Sequence, residues 1–293
     1  MTISILSVAD IRAAEEAADA AGVTYATMME RAGQAIAGRL STLLAESDVP
    51  AAEWRVTFLI GPGNNGGDGL VAGRVLAAET SAQVRLYLLR PRQRDDSLLR
   101  SALDAGLLAV VAGDDPEFDR LREIVRTSHL VVDALFGIGA RLPLDEATQH
   151  LLVAVSGIIS DTQADKTQPA VLADQRTHMA ARPRVLAVDC PSGLDCETGA
   201  LDAASVPAEE TITMIAAKPG LLRFPGANAV GRLSVADLGL ADFAPQPEHL
   251  NCLFTADDAA ARLPTRRPDS HKGSFGHVLI AGGSASYPGA PAL

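Results

Sequence analysis

Three short stretches carry the side chains best placed to do chemistry: GPGNNGGDG at 61–69, VVDALFGIGARLP at 131–143 and VDCPSGLDCETG at 188–199. Each joins a β-prone apolar run to a glycine-bearing turn, and each supplies oxygen donors: Asn64, Asn65 and Asp68, then Asp133, then Asp189, Ser192 and Asp195. A carboxylate at the end of a buried strand has three uses. It can move protons, cap its own turn, or hold a hard cation together with amide and hydroxyl oxygens. Gly61, Gly63 and Gly66 fit G-x-G-x-x-G, the pattern in which backbone N–H groups meet pyrophosphate at a helix N-terminus. Asp68 works against a phosphate at that turn and suits a ribose hydroxyl or a cation better. The turn has no Gly-Lys-Ser/Thr ending, so a nucleoside-triphosphate loop is excluded. Gly137 and Gly139 can turn backbone amides toward an anion, with Arg141 adding charge.

The elements that position these turns are readable from period and punctuation. Ser7 with Asp10 forms a capping-box pattern for a helix to residue 21, with Glu15 and Glu16 expected on its exposed side. Thr24 caps a second helix whose Met28, Ala32, Ala35, Ile36 and Leu43 make an apolar stripe. Strands are expected near 56–60, 84–89, 107–111, 129–133, 185–189, 211–216 and 231–236, and helices over 71–80, 95–105, 116–126 and 145–159. That alternation predicts an α/β fold: three layers, Rossmann-like, with a mostly parallel sheet and helices on both faces. In such sheets the carboxyl ends of neighbouring strands share one crevice, where ligands bind. His129 opens its strand, far from that crevice, and reads as structural. Arg90, Arg92 and Arg94 follow the second strand with no acid beside it. They tolerate a 2′-phosphate if a dinucleotide binds, or form a solvated basic loop.

Residues 160–182 have no clear period and read as a surface insertion, with a short helix near 174–181. Residues 245–267 read as a linker carrying a short element near 255–263. Beyond it, GSFGHVLIAGG begins a second strand-and-glycine-turn unit. Against 36 Asp+Glu the chain has 25 Lys+Arg, a net charge of −11, which disfavours nucleic acid as a partner. Cys190, Cys196 and Cys252 form no C-x-x-C pair and no even set, so a disulfide framework or zinc knuckle is not expected and a reduced, cytoplasmic setting is. The first residues lack the pattern of a signal peptide, and no apolar run is long enough to span a membrane.

Taken together in this order and spacing, the three turns closely resemble the NAD(P)H-hydrate epimerase family, also called the YjeF N-terminal domain. The resemblance covers about residues 1–250 and includes MERAG in the second helix and the KPG turn at 218–220. Residues 251–293 resemble a linker and the opening of an ADP-dependent NAD(P)H-hydrate dehydratase domain, an incomplete start of a second, ribokinase-like α/β unit. The resemblance implies epimerisation, at nicotinamide ring carbon 6, of the hydrated cofactor NAD(P)HX. It places that small-molecule substrate on Asn64, Asn65, Gly66, Gly67, Asp68, Gly137, Ile138, Gly139, Ala140, Arg141, Leu142, Pro143 and Asp189. It places potassium (K+) on Asn65, Asp133 and Ser192, and makes Asp189 the catalytic acid/base. ADP and Mg2+ belong to a complete dehydratase domain, so dehydration is not expected, and a homo-oligomer is compatible. An NADP-dependent oxidoreductase and a non-catalytic nucleotide-binding scaffold are the alternatives.

Overall fold

Side-chain caps start the first two helices where the sequence places them. The Ser7 hydroxyl accepts from the Asp10 N–H at 3.1 Å while the Asp10 carboxylate accepts from the Ser7 N–H at 3.2 Å, a capping box that opens α1 (Val8–Ala20). It satisfies two amides that the first turn leaves without helical partners. Thr24 accepts from the Thr27 N–H and opens α2 (Tyr25–Ala45), whose Met28, Ala32, Ile36, Leu40 and Leu43 are buried. The computed structural model describes residues 3–93, 95–164, 183–245, 251–271, 273–284 and 289. The insertion helix near 174–181, Arg94 and the segment after 289 lie outside the described residues.

The strands are β1 (Ile3–Ser4), β2 (Arg55–Ile60), β3 (Gln83–Leu88), β4 (Leu108–Val111), β5 (Leu130–Ala134), β6 (Arg184–Val188), β7 (Glu210–Met214), β8 (Arg232–Ala236) and β9 (Cys252–Leu253). The remaining helices are α3 (Asn64–Glu79), α4 (Ser97–Asp104), α5 (Asp119–Arg126), α6 (Glu146–Ala164), α7 (Ala227–Val230) and α8 (Ala256–Arg262). Seven strands form one sheet in the order β4-β3-β2-β5-β6-β7-β8, and every pairing in it is parallel. β1 and β9 pair antiparallel in a separate ribbon. Alternation along each strand feeds two cores. Val56, Phe58 and Ile60 of β2 and Val132 of β5 pack with Ile36, Leu40, Leu70 and Leu76 of α2 and α3. Leu59 and Val131 point the other way, onto Leu121 and Val125 of α5 and Leu151 and Val155 of α6. The expected sheet with helices on both faces is therefore present.

Strand order reverses between β2 and β5, since β3 and β4 lie on one side of that pair and β6, β7 and β8 on the other. Such a switch point leaves a crevice at the carboxyl ends of the strands. α3 closes onto it at backbone distance. A Cβ on Gly69 would sit 2.6 Å from the Ala134 Cβ, and one on Gly66 would run into the Gly61 carbonyl.

Three boundaries differ from the expectation by more than two residues. α3 begins at Asn64 rather than 71, so Asn65 and Asp68 stand on the first turns of a helix; contact with β2 and β5 outweighs the low helix propensity of its glycines. α6 runs to Ala164, five residues past the expected end. α5 begins at Asp119, after Phe118 in a left-handed conformation (φ 56°) that stops the chain from entering the helix at Pro116.

The described residues fall into two compact units, Ile3–Leu253 and the residues from Phe254 onward. In the second, the Thr255 side chain and Asp258 make the capping box of α8. The strand expected in GSFGHVLIAGG is not formed: Val278, Leu279 and Ile280 are exposed and pair with no strand among the described residues. A strand requires a neighbouring edge to accept its N–H and C=O groups, and none is supplied here.

The glycine contacts give a direct test. Gly66→Ala should lower stability by about 1–3 kcal/mol, read as a lower urea midpoint with an unchanged slope.

Candidate active site

The loops after β5 and β6 are joined through one carboxylate. Asp133 Oδ2 accepts from the Ser192 N–H at 2.8 Å, and its Oδ1 accepts from the Ser192 hydroxyl at 2.6 Å and the Leu135 N–H at 3.2 Å. Ser192 Oγ in turn accepts from the Phe136 N–H at 3.0 Å. Burial pushes the Asp133 carboxyl above its ordinary range, and the two Ser192 donors oppose that.

Asp189, at the end of β6, has φ 66°, a left-handed conformation that aspartate tolerates better than most residues. Its Oδ1 accepts from Lys218 Nζ at 2.5 Å and from the Thr213 hydroxyl and Met214 N–H, both at 3.3 Å. Its Oδ2 accepts from the Ile138 N–H at 3.0 Å. Lys218, 1% exposed, spends its other donors on Thr213 Oγ1 at 2.6 Å and the Met214 carbonyl at 2.9 Å. Burial alone would raise the Asp189 pKa. The Lys218 ammonium and the surrounding N–H groups outweigh it and hold the carboxyl below its ordinary range.

α3 and α1 complete the pocket. The Asn65 side chain is buried with neither Oδ1 nor Nδ2 hydrogen-bonded. Asp68, one turn on, is pushed well above the ordinary carboxylate range by burial and by Asp189 and Glu15, with Lys218 opposing. Glu15 is raised by burial and then by Asp189. These groups border a cavity of about 420 Å³ lined by Asn65, Asp68, Gly137, Asp189 and Lys218, with Arg12 and Glu15 from α1. A second space of about 500 Å³ shares Arg12, Gly137 and Ile138 with it and extends to Ala140, Asp195 and Glu197.

Residues 25–220 match the family described as YjeF-related protein N-terminus. The chain belongs to that family. Over 282 residues it is 33% identical to a bifunctional NAD(P)H-hydrate repair enzyme of Thermofilum pendens, covering 95% of this chain and 47% of the relative. It is 35% identical over 284 residues to the protein of the same name from Escherichia coli, covering 96% and 48%. The chain thus spans about half the length of these curated relatives. Its fold is similar to that of the yeast protein ynu0 (TM-score 0.60, 17% identity, 80% of this chain and 87% of the other). No helix among the described residues is long and apolar enough to cross a membrane.

In this YjeF N-terminus chain the expected residues are distributed unevenly about the cavity. Asn64, Asn65, Asp68, Gly137, Ile138, Gly139 and Asp189 line it, and Ala140 lines the adjoining space. Gly66 packs on Gly61 and Gly67 on Met29, so both serve the approach of α3. Arg141, Leu142 and Pro143 line neither space. Asp133 and Ser192 line neither space and are bonded to one another, and Asn65 Oδ1 is near the same turn: a Cβ on Gly137 would stand 3.2 Å from it. Arg92 is bound to Asp96 at 2.6 Å and to the Gly61 carbonyl at 2.7 Å, Arg90 is paired with Asp145 at 2.9 Å, and neither lines the cavity or the adjoining space. His129 is structural, its Nδ1 accepting from the Arg55 N–H.

Sequence reasoning missed Lys218 and Arg12, and it placed Glu15 on an exposed face. Glu15 lies one turn beyond Ile11, which is buried against Leu6 and Ala216, and that i, i+4 spacing turns it into the cavity. A lone lysine in the apolar run MIAAKPG was the signal for Lys218. The sulfurs of Cys190 and Cys196 meet across the CPSGLDC turn. Their six-residue spacing matches no standard motif, so the sequence alone does not show this proximity, which one contact within a turn makes without amounting to a disulfide framework.

Removing Lys218 leaves a buried carboxylate without its counter-charge. Lys218→Met should cost about 3–5 kcal/mol near neutral pH. Because the folded-state pKa of Asp189 is lowered, its contribution is complete above the ordinary carboxylate range and disappears as pH falls through the lowered value. The deficit of Lys218→Met in urea melts should therefore shrink on acidification.

Proposed function

We propose that this chain interconverts the R and S epimers of hydrated NAD(P)H at nicotinamide ring carbon 6. The observation that carries the reading is the Asp189 carboxylate, buried and held ionised by Lys218 in a cavity at the switch point of a parallel sheet. The names of the relatives agree with it, as does the adjoining second space, which offers room for the remainder of a dinucleotide.

Epimerisation at that carbon requires loss of the hydroxyl group as water and return of water to the opposite ring face. The ring nitrogen can stabilise the intermediate cation, so the protein must chiefly place proton acceptors and donors. Asp189 is suited to the base half of this acid/base role, because a carboxylate already ionised takes up a proton from incoming water more readily than it supplies one. A positioned base of this kind contributes about 10²–10⁴ in rate.

Asn65, Asp133 and Ser192 suit potassium. The donors are all oxygen, the Asn65 amide oxygen is buried without a partner, and the Asp133 charge is buried without a basic side chain bonded to it. Bound there, the ion would supply a fixed positive charge. The chain's own part is to hold the turn of Phe136 and Gly137 against Ser192 and Asp189.

Purified R epimer incubated with the chain should yield the S epimer, read by chromatography, and an epimer ratio that changes no faster than in buffer would refute the proposal. Asp189→Asn, which tolerates the same backbone conformation, should lower turnover about 10²–10⁴-fold while substrate still binds. Potassium, and not sodium, should raise the melting temperature of the native chain, and Asn65→Ala should remove that rise.

A further inference from the structure

A base that is already ionised cannot also protonate the leaving hydroxyl, and the cavity contains another group for that step. Asp189 Oδ1 accepts three protein donors and Oδ2 only the Ile138 N–H, so Oδ2 keeps a lone pair with which to take up a proton. Asp68 borders the same cavity from α3, is partly open to it, and its carboxyl receives no hydrogen bond from the protein among the described residues. We propose that Asp68 is the acid of this site, giving its proton to the departing hydroxyl while Asp189 accepts the proton of the water that returns on the other ring face; this rests on the epimerase reading above.

The charges around Asp68 fit that division of labour. Asp189 and Glu15 face it and disfavour a second and third negative charge, Lys218 faces it but is bonded to Asp189, and Arg12 lines the cavity from α1. Burial adds to the two carboxylates, so Asp68 keeps its proton well above the ordinary carboxylate range. Two carboxyl groups whose surroundings drive their proton affinities apart are the arrangement that assigns acid and base. Glu15 is also raised by burial and by Asp189, but it is less suited because Arg12, which is not among the charges acting on Asp68, lowers its affinity for a proton.

The step balances. The Asp68 O–H bond breaks as its proton joins the substrate hydroxyl, the C6–O bond breaks, and the ring-nitrogen lone pair forms a double bond to C6 as water leaves. Water then bonds to C6 from the opposite face, the electron pair returns to nitrogen, and Asp189 takes the extra proton. Passage of that proton from Asp189 to Asp68 restores the starting state and runs downhill in proton affinity.

The test compares wild type, Asp68→Asn, Asp68→Glu and Glu15→Gln in the epimer assay across pH. Asp68→Asn should lower kcat by at least about 10²-fold with KM within a few-fold of wild type. Wild-type kcat should fall on the alkaline side as Asp68 loses its proton, Asp68→Asn should lack that limb, and Asp68→Glu should restore both turnover and limb at a shifted pH. Unchanged kcat with raised KM in Asp68→Asn would reduce the residue to a binding contact and overturn the proposal. So would loss of the alkaline limb in Glu15→Gln instead. If Asp68→Asn fails to fold, a folded Asp68→Glu with an unshifted limb overturns it. A wild-type chain that interconverts nothing defeats the epimerase reading itself, and is told apart because the variants are then moot beside an inactive parent.

Discussion

The carboxylate of Asp189 is the constraint on which the rest of the site depends. Taking an ammonium and a carboxylate out of water costs several kcal/mol per ion, and their attraction offsets this only where the remaining hydrogen-bonding capacity is also filled. Here most of it is filled on both sides, with one lone pair of Asp189 Oδ2 left over. Lys218 directs its donors at Asp189, Thr213 and the Met214 carbonyl, and Asp189 receives four donors. Those donors come from the loop after β5, from the end of β7 and from the loop that follows it, so the carboxylate ties together three strand ends. The left-handed backbone at Asp189 is part of the same arrangement, an unfavourable local conformation persisting because its surroundings determine it.

Proton affinities in the cavity follow from that pair. Asp189, next to the ammonium, is held ionised. Asp68 and Glu15 are displaced upward, first by burial and then by the nearby Asp189 charge, while Lys218 opposes the shift in both and Arg12 opposes it in Glu15. Three carboxyl groups of similar intrinsic acidity thus acquire different protonation tendencies from position alone.

Much of the architecture was legible in the sequence because β-branched runs and turn residues are local signals. All seven strands of the main sheet fall where alternation and punctuation put them, and the Ser7 and Thr24 caps open their helices. Asp133 and Asp189 were visible as polar residues at the ends of apolar strands, and Ser192 as a polar residue of the turn that follows. What was hidden is set by tertiary contact. The helical start of α3 depends on β2 and β5 lying beneath its glycines, and no propensity scale carries that information. Lys218 acquires its role only once β6 and β7 are neighbours, an adjacency between segments 29 residues apart in sequence. The strand expected in GSFGHVLIAGG fails for the converse reason, since a strand-forming sequence without a paired edge has nothing to bond to.

Gly137 shows why the turn after β5 tolerates no side chain. Its missing Cβ would lie 2.7 Å from Asp189 Oδ2 and 3.2 Å from Asn65 Oδ1, inside van der Waals contact with one and tight against the other. Glycine therefore lets one peptide segment serve both groups at once. On one side the next residue, Ile138, donates its N–H to Asp189, and on the other Phe136 donates to Ser192, which holds Asp133. The turn thereby joins the Asp189 carboxylate to the bonded Ser192–Asp133 pair through two consecutive peptide units. That short route, rather than any single donor, is the physical reason for expecting the placement of the Ser192–Asp133 pair and the placement of Asp189 to depend on one another.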